Sequence, residues 1–208
     1  MSLQTILDNG LDALGIASTP AQQAQALRYI TLIEKWNRVD NLTAISDAEQ
    51  MVVHHLLDSL AVHPYLPPAQ TVLDVGSGAG LPGIPLAIFN PHISFTLLDA
   101  AAKRVRFMRH AVTTLALDNV SVIQGRADAY CAEHRADLII SRAFTSTADF
   151  VRQTAVALAE GGRLFAMKGK LPQQELGALA ANFEYTVVPL QVPGLAAERH
   201  LITITAMP

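Results

Sequence analysis

From residue 71 onward the chain alternates short apolar runs with segments of helical periodicity, and that alternation restricts it to one architecture. The runs fall at 71–75, 93–98, 120–124, 137–141 and 162–167. Short apolar runs separated by helices are how buried parallel strands and their crossovers read. Two more strand candidates, 184–191 and 199–206, have only a proline- and glycine-containing stretch between them, which suits a hairpin. Five β-then-α units and a hairpin predict an α/β fold: a mostly parallel sheet with one antiparallel edge strand.

Residues 1–66 read differently. Leu3, Ile6, Leu7, Leu11 and Leu14 recur at helical spacing, and Gly15 can end that helix. "STP" at 18–20 supplies a cap and a first-turn proline, and Leu27, Ile30, Ile33 and Trp36 then share a face. Trp36 is therefore expected in the core and not as a base-stacking platform. Ser46 and Glu49 predict a capping box before "MVVHHLLDSLAV", and "PYLPP" at 64–68 marks a break. The expected organisation is an N-terminal helical extension, 1–66, and a Rossmann-like domain, 67–208.

Half of the 208 residues are hydrophobic and 16% are charged, so a sizeable core is expected and disorder is not. No apolar run approaches the ~20 residues that cross a bilayer. The start, "MSLQTILDNGLDALG", carries acids where a secretory signal has a basic region. A cytoplasmic, monomeric protein without membrane contact is expected. Cys131 is the one cysteine, which excludes an internal disulfide and a cysteine zinc site. The net charge of −3 does not announce a nucleic-acid binder. Four basic groups nevertheless crowd "KRVRFMR" at 103–109.

"TVLDVGSGAGLPGIPLAIFN", 71–90, is a strand, a glycine-dense loop and a helix. Such a loop brings bare backbone up to a ligand, and in open α/β sheets ligands lie beyond the carboxyl ends of the strands. Gly78, Gly80 and Gly83 satisfy the dinucleotide spacing G-x-G-x-x-G, whereas Asp74, Gly76, Gly78 and Gly80 spell D-x-G-x-G-x-G. A carboxylate at the strand end would repel a pyrophosphate but suits the ammonium of a methionyl group. It equally suits the loop's own amides. Asp99, closing "SFTLLDA", fits a ribose-binding carboxylate or a helix cap. Asp128, in "QGRADAY", fits an acceptor for an adenine amine or another cap. Together these favour S-adenosylmethionine as cofactor and methyl transfer as the reaction.

The acceptor follows from what is missing. Cys131 lies away from the crevice loops, so pyrimidine carbon-5 chemistry lacks its nucleophile. "SRAFTS" after the fourth strand has neither the proline nor the acid that serves exocyclic amines. An acceptor with a free lone pair needs no base, and the 7-nitrogen of guanine is one. A catalytic arginine should then touch the 6-oxygen or phosphates only, because a fork on both acceptors would block the lone pair.

Seven segments closely resemble the RsmG (GidB) family: "KWNRVDNLTAI" (35–45), "HHLLDSLAV" (54–62), "LDVGSGAGLPGIPLAI" (73–88), "FTLLDAAAKRVRFMR" (95–109), "ISRAF" (140–144), "MKGK" (167–170) and "ERHLITI" (198–204). That resemblance implies a Rossmann-like S-adenosylmethionine-dependent methyltransferase fold. It also implies action on the 7-nitrogen of one guanine in 16S ribosomal RNA of the small subunit. It further implies that Gly76, Leu81, Ala127, Asp128 and Arg142 contact the cofactor. The family commonly has arginine where this chain has His54.

Several side chains stay open. Lys103, Arg106, Arg109 and His110 share one helix side, either a solvated face or an RNA-phosphate patch. Arg104 points between faces, toward the crevice. His54, His55 and Asp58 form a polar stripe that supplies too few strong ligands for a metal, leaving a solvated stripe or an RNA contact. Lys168, just after the fifth strand, and Arg199 with His200, before the last, could position substrate. The rival readings are a small-molecule methyltransferase and a nicotinamide-dependent oxidoreductase.

Overall fold

In a computed structural model, which describes residues 1–142, 144, 146–171, 176, 177, 179 and 182–207, the two halves of the chain do form two kinds of structure. Helices come first. α1 (Leu3–Leu14) starts at Ser2, whose side chain accepts from the Thr5 N–H, and ends at Gly15 with φ 67°. α2 (Pro20–Asp40) opens on a capping box between Thr19 and Gln22. The next helix departs from expectation. Asp47 is its cap, accepting from the Gln50 N–H at 2.8 Å, and Glu49 pairs with the N-terminal ammonium at 2.9 Å. The carboxylate one residue after Ser46 is the stronger acceptor for the orphan amides. From there α3 (Ala48–Met51) passes through a π-helical turn, Val52–Leu57, into α4 (Asp58–Leu60).

The alternating part gives β1 (Thr71–Val75), α5 (Gly83–Phe89), β2 (Ser94–Asp99), α6 (Ala102–Leu115), β3 (Val120–Gln124), α7 (Ala127–Glu133), β4 (Ala136–Ser141), α8 (Thr147–Thr154), β5 (Leu158–Lys168), β6 (Phe183–Pro189) and β7 (His200–Ala206). The sheet order is β3-β2-β1-β4-β5-β7-β6. The first five strands pair in parallel, and β7 runs against both β5 and β6. The helix expected after the fifth strand falls mostly outside the described residues.

Alternate residues of each strand feed opposite cores, as a pleated strand demands. Val72, Leu138, Ile140, Phe165 and Met167 join a cluster with α1, α2, the π-helical turn, α5 and α6. Leu73, Ile139, Leu164 and Ala166 join the other, with Cys131 of α7 and Phe150 of α8. Residues 1–66 thus share one continuous apolar core with a whole face of the sheet. Trp36 is half-buried there, edge-on to Phe107 with ring centroids 5.5 Å apart. No helix among the described residues is long and apolar enough to cross a membrane.

Gly10 tests how tightly that face closes. A Cβ there would sit 2.4 Å from Leu57 Cδ1 and 2.5 Å from Cδ2, inside the core. Helix propensity alone favours alanine by roughly 0.5–1 kcal/mol, whereas overpacking costs about 1–3 kcal/mol. We expect Gly10→Ala to lower the midpoint of urea unfolding. A rise would show that Leu57 swings aside at no cost.

Candidate active site

The parallel strands end along one edge, and the loop after β1 is held there from several directions. The Gly76 and Ser77 N–H groups both donate to the Leu98 carbonyl, at 2.8 and 3.2 Å. Ser77 Oγ donates back to the Asp74 carbonyl at 2.8 Å. Gly78 N–H donates to Asp99 Oδ2 at 2.9 Å, and Gly83 N–H to Asp74 Oδ2 at 2.9 Å. From α2, the buried Tyr29 hydroxyl donates to the Ala79 carbonyl. The glycines divide the work. At Gly80, with φ 87°, a Cβ would lie 2.4 Å from Ile84 Cδ1, so that position serves packing. At Gly78, with φ 60°, a Cβ would meet nothing nearer than the Gly76 carbonyl at 4.0 Å.

Beyond this loop opens a cavity of about 440 Å³. Val75 and Gly76 line it from β1, Asp99, Ala100 and Arg104 from β2 and α6, Gly125, Arg126 and Ala127 after β3, and Phe144 and Gln153 on the remaining side. It is the size and character of a nucleoside site: mostly apolar walls with a few placed polar groups. Asp99 is 5% exposed and also accepts from the Ala101 N–H at 2.8 Å. Of the predicted cofactor residues, Gly76, Asp99 and Ala127 line the cavity. Gly78, Gly80 and Leu81 belong to the loop behind it. Asp128 is exposed in the first turn of α7, paired with Arg126 at 2.9 Å and accepting from the Ala129 N–H at 2.9 Å; the cap position is Arg126, not Asp128.

Asp74 takes the second of its two sequence readings, a cap on the loop's own amides. It is fully buried, lines no part of the cavity, and its Oδ1 has no partner among the described residues. Burial pushes its pKa up to about 7, against the Gly83 N–H, which pulls it down.

Arg142, just past β4, faces a second cavity of about 360 Å³ with His54, His55, Asp58, Met167, Lys168 and Arg199. The two cavities flank one short stretch: Arg142 lines the second, Phe144 the first, and Lys168 Nζ donates to the Phe144 carbonyl at 2.9 Å. Lys168 is the last residue of β5, half-buried and not a free surface lysine. Arg199 lines the cavity, whereas His200 turns its Nδ1 to the Gly169 carbonyl at 3.0 Å.

The polar stripe of His54, His55 and Asp58 is not solvated, contrary to one sequence reading. Asp58 is 3% exposed; its Oδ2 takes Arg142 Nη1 at 3.0 Å and its Oδ1 takes Arg199 Nε at 2.8 Å. His55 is 4% exposed, with Nε2 3.0 Å from Thr43 Oγ1 and no partner for Nδ1 among the described residues. Burial, reinforced by the Arg142 charge, lowers its pKa to about 4, so it is neutral. Only His54 stays partly open, 3.0 Å from Gln50 Oε1. Two arginines from distant strand ends close over the stripe, which helical periodicity cannot foresee. Sequence reasoning placed Asp58 in this polar stripe but gave it no partner, because both of its arginines lie far along the chain.

The basic face of α6 is partly spoken for. Lys103 Nζ donates to the Asp40 carbonyl and Arg106 pairs with the Asp40 carboxylate, both at 3.0 Å. Arg106 also lies over the Trp36 ring, 5.6 Å from its centroid, and His110 stacks near the same ring at 5.3 Å. Arg109 reaches the Val122 carbonyl at 3.5 Å. Arg104 turns to Asp99 at 3.5 Å and into the first cavity.

Known proteins with this sequence pattern and fold agree with one another. The family model described as rRNA small subunit methyltransferase G matches residues 22–202. A ribosomal RNA small subunit methyltransferase G of Neisseria gonorrhoeae is 49% identical over 197 residues, covering 94% of this chain and 95% of that protein. One from Methylobacillus flagellatus is 46% identical and covers 98% of both. Among solved structures, a putative O-methyltransferase from Klebsiella pneumoniae matches with a TM-score of 0.64 at 14% identity, over 98% of this chain and 97% of that one. The DhpI–SAH complex matches with a TM-score of 0.57 at 15% identity, over 92% and 100%. At those identities the two structures speak for the fold alone, the methyltransferase α/β fold.

Asp74 carries a pH signature. The folded protein holds its proton to about pH 7, and the unfolded chain releases it near the ordinary value of ~4. Folded molecules therefore bind more protons across that window, and the contribution of Asp74 to stability falls as pH rises through it. Asp74→Asn keeps an acceptor for Gly83 and never charges. We expect its stability relative to wild type to improve by up to about 4 kcal/mol from pH 4 to pH 8. Parallel stability curves for the two proteins would refute the buried, proton-holding carboxyl.

Proposed function

Because this chain belongs to the rRNA small subunit methyltransferase G family, we infer that it transfers a methyl group from S-adenosylmethionine to the 7-nitrogen of a guanine in 16S ribosomal RNA. The observation that carries the reading to particular residues is the 440 Å³ cavity at the carboxyl ends of β1–β3. The residues present fit the cofactor. Asp99 supplies a buried carboxylate for a ribose diol, and Leu98, Ala100, Ala127 and Phe144 supply apolar walls for an adenine ring. The bare Gly76 on the cavity wall leaves room for backbone contact. Asp74 serves this site from behind, by holding the loop to α5, and Asp128 stands at the rim beside Ala127.

The cofactor supplies an electrophilic methyl group on a sulfonium, and the protein's task is to hold the acceptor in line with it. We assign the acceptor to the second cavity, bordered by Arg142, Lys168 and Arg199. These three side chains carry hydrogen-bond donors and no acceptor, and His55 beside them is neutral. None is needed as a base, because the N7 lone pair is free at neutral pH. Both Nη1 hydrogens of Arg142 are already given to the His54 carbonyl and Asp58. That limits how it can fork onto a base and leaves the N7 edge open, with the 6-oxygen or phosphates as its targets. Lys103, Arg106 and Arg109 remain exposed enough to meet RNA backbone, and we expect them to act as a local patch whose contribution weakens with salt. The substrate places the reaction in the cytoplasm. Family membership disfavours both rivals, the small-molecule methyltransferase and the oxidoreductase.

The deciding experiment incubates labelled S-adenosylmethionine with the protein and ribosomal RNA or small subunits lacking the modification, with guanosine as control. We expect 7-methylguanosine in the ribosomal samples alone. Label in guanosine, or in another nucleoside, would overturn the substrate or the base. On the same assay, Asp99→Asn should weaken cofactor binding by roughly 10- to 100-fold, the cost of a charge-assisted hydrogen bond. Unchanged cofactor affinity would remove Asp99 from the ribose site.

A further inference from the structure

The two arginines beside the second cavity come from distant parts of the sequence, at the ends of strands that only β5 separates in the sheet, and meet on one carboxylate. Arg142 follows β4 and Arg199 precedes β7, and neither has another acidic partner among the described ion pairs. Asp58 divides its oxygens between them and sits at 3% exposure, whereas their side chains remain 26% and 22% exposed. A buried carboxylate that fixes one face of each guanidinium leaves the remaining N–H groups aimed elsewhere. Among the described residues, no acceptor takes Nε or Nη2 of Arg142, nor Nη2 and one Nη1 hydrogen of Arg199. Both side chains border the cavity. His55, buried and neutral, also borders this cavity.

Charge movement adds a second reason for a carboxylate here. The guanine N7 lone pair forms the new bond to carbon while the carbon–sulfur bond breaks. A neutral thioether is left behind, and a positive charge appears on the guanine ring; no proton moves. Three cations alone around the acceptor, Arg142, Lys168 and Arg199, would oppose that charge. A fixed anion among them favours it, and a preorganised charge acts on the transition state without reorganising.

We propose that Asp58 is the positioning residue of the acceptor site: it clamps Arg142 and Arg199 so that they present donors to the guanine and its phosphates, and offsets the positive charge that arises on the base. The proposal rests on the function inferred above and adds to it a residue that touches neither reactant directly.

The test compares wild type, Asp58→Asn, Arg199→Gln and the double variant in methyl transfer to small subunits lacking the modification. Cofactor binding is measured separately by calorimetry. Asp58→Asn should lower kcat by roughly 10- to 100-fold, less than the roughly 100- to 1,000-fold cost of removing a direct transition-state donor, because Asp58 acts through the arginines. Cofactor affinity should stay within about 3-fold, since Asp58 does not line the first cavity. The double variant should be no slower than the worse single one, because the two act as a unit. Full kcat in Asp58→Asn, a loss confined to cofactor binding, or additive losses would each overturn the proposal. Should Asp58→Asn fail to fold, Arg199→Gln decides alone: reduced kcat with intact cofactor binding supports the clamp, and full kcat refutes it. Wild-type protein that makes no 7-methylguanosine would instead refute the inferred function, and this proposal with it.

Discussion

The loop between β1 and α5 hangs on one buried carboxylate. Asp74 Oδ2 accepts the Gly83 N–H from the first turn of α5, so the strand end and the helix start cannot separate without stranding a donor in the core. Everything the first cavity needs is arranged around that bond. Asp99 holds Gly78, Tyr29 holds Ala79, and the Leu98 carbonyl holds Gly76 and Ser77. Tyr29 matters because it belongs to α2. The N-terminal helices thereby help to hold the glycine loop, and they share an apolar core with the sheet.

Buried titratable groups in the two sites lean in opposite directions. Asp74 is driven toward its protonated form and His55 toward its neutral one, in both cases chiefly by burial. Folding thus favours Asp74 with its proton and His55 without one, and their contributions to stability change with opposite sign as pH rises between about 4 and 7. Asp58 is buried as well, and two guanidinium groups pair it. A buried charge of that kind is weak evidence for stability, since desolvation offsets much of the attraction. It is better evidence for placement.

Periodicity carried much of the architecture. Thr71–Val75 and Val120–Gln124 coincide with their apolar runs, and the other strands lie within a few residues of theirs; in the central β1 the run is continuous because both faces are buried, whereas the edge strand β3 is only half-buried. The cap expected at Ser46 sits one residue later, where Asp47 offers the better acceptor, and Gln50 turns its side chain to His54 instead of closing a box. In the first site, Gly76, Asp99 and Ala127 were legible from loop chemistry and from the family resemblance. Phe144 and Gln153 were not, as neither has a local pattern that distinguishes it from core or helix surface. Trp36 went where its helix face implied, yet Arg106 on the same ring was invisible until α2 and α6 were seen side by side.

The sequence by itself determined the α/β fold, the glycine loop at the end of its first strand, the class of cofactor and, through the family resemblance, the substrate. These depend on local spacing and on motifs within a few residues of one another. Only the tertiary structure decided that Asp74 faces inward, that His55 and Asp58 are buried, and that Arg142 and Arg199 share one carboxylate across 84 and 141 residues of chain. Such contacts are set by how helices and strand ends pack. A charge pair between distant segments leaves no periodic trace in the chain that makes it.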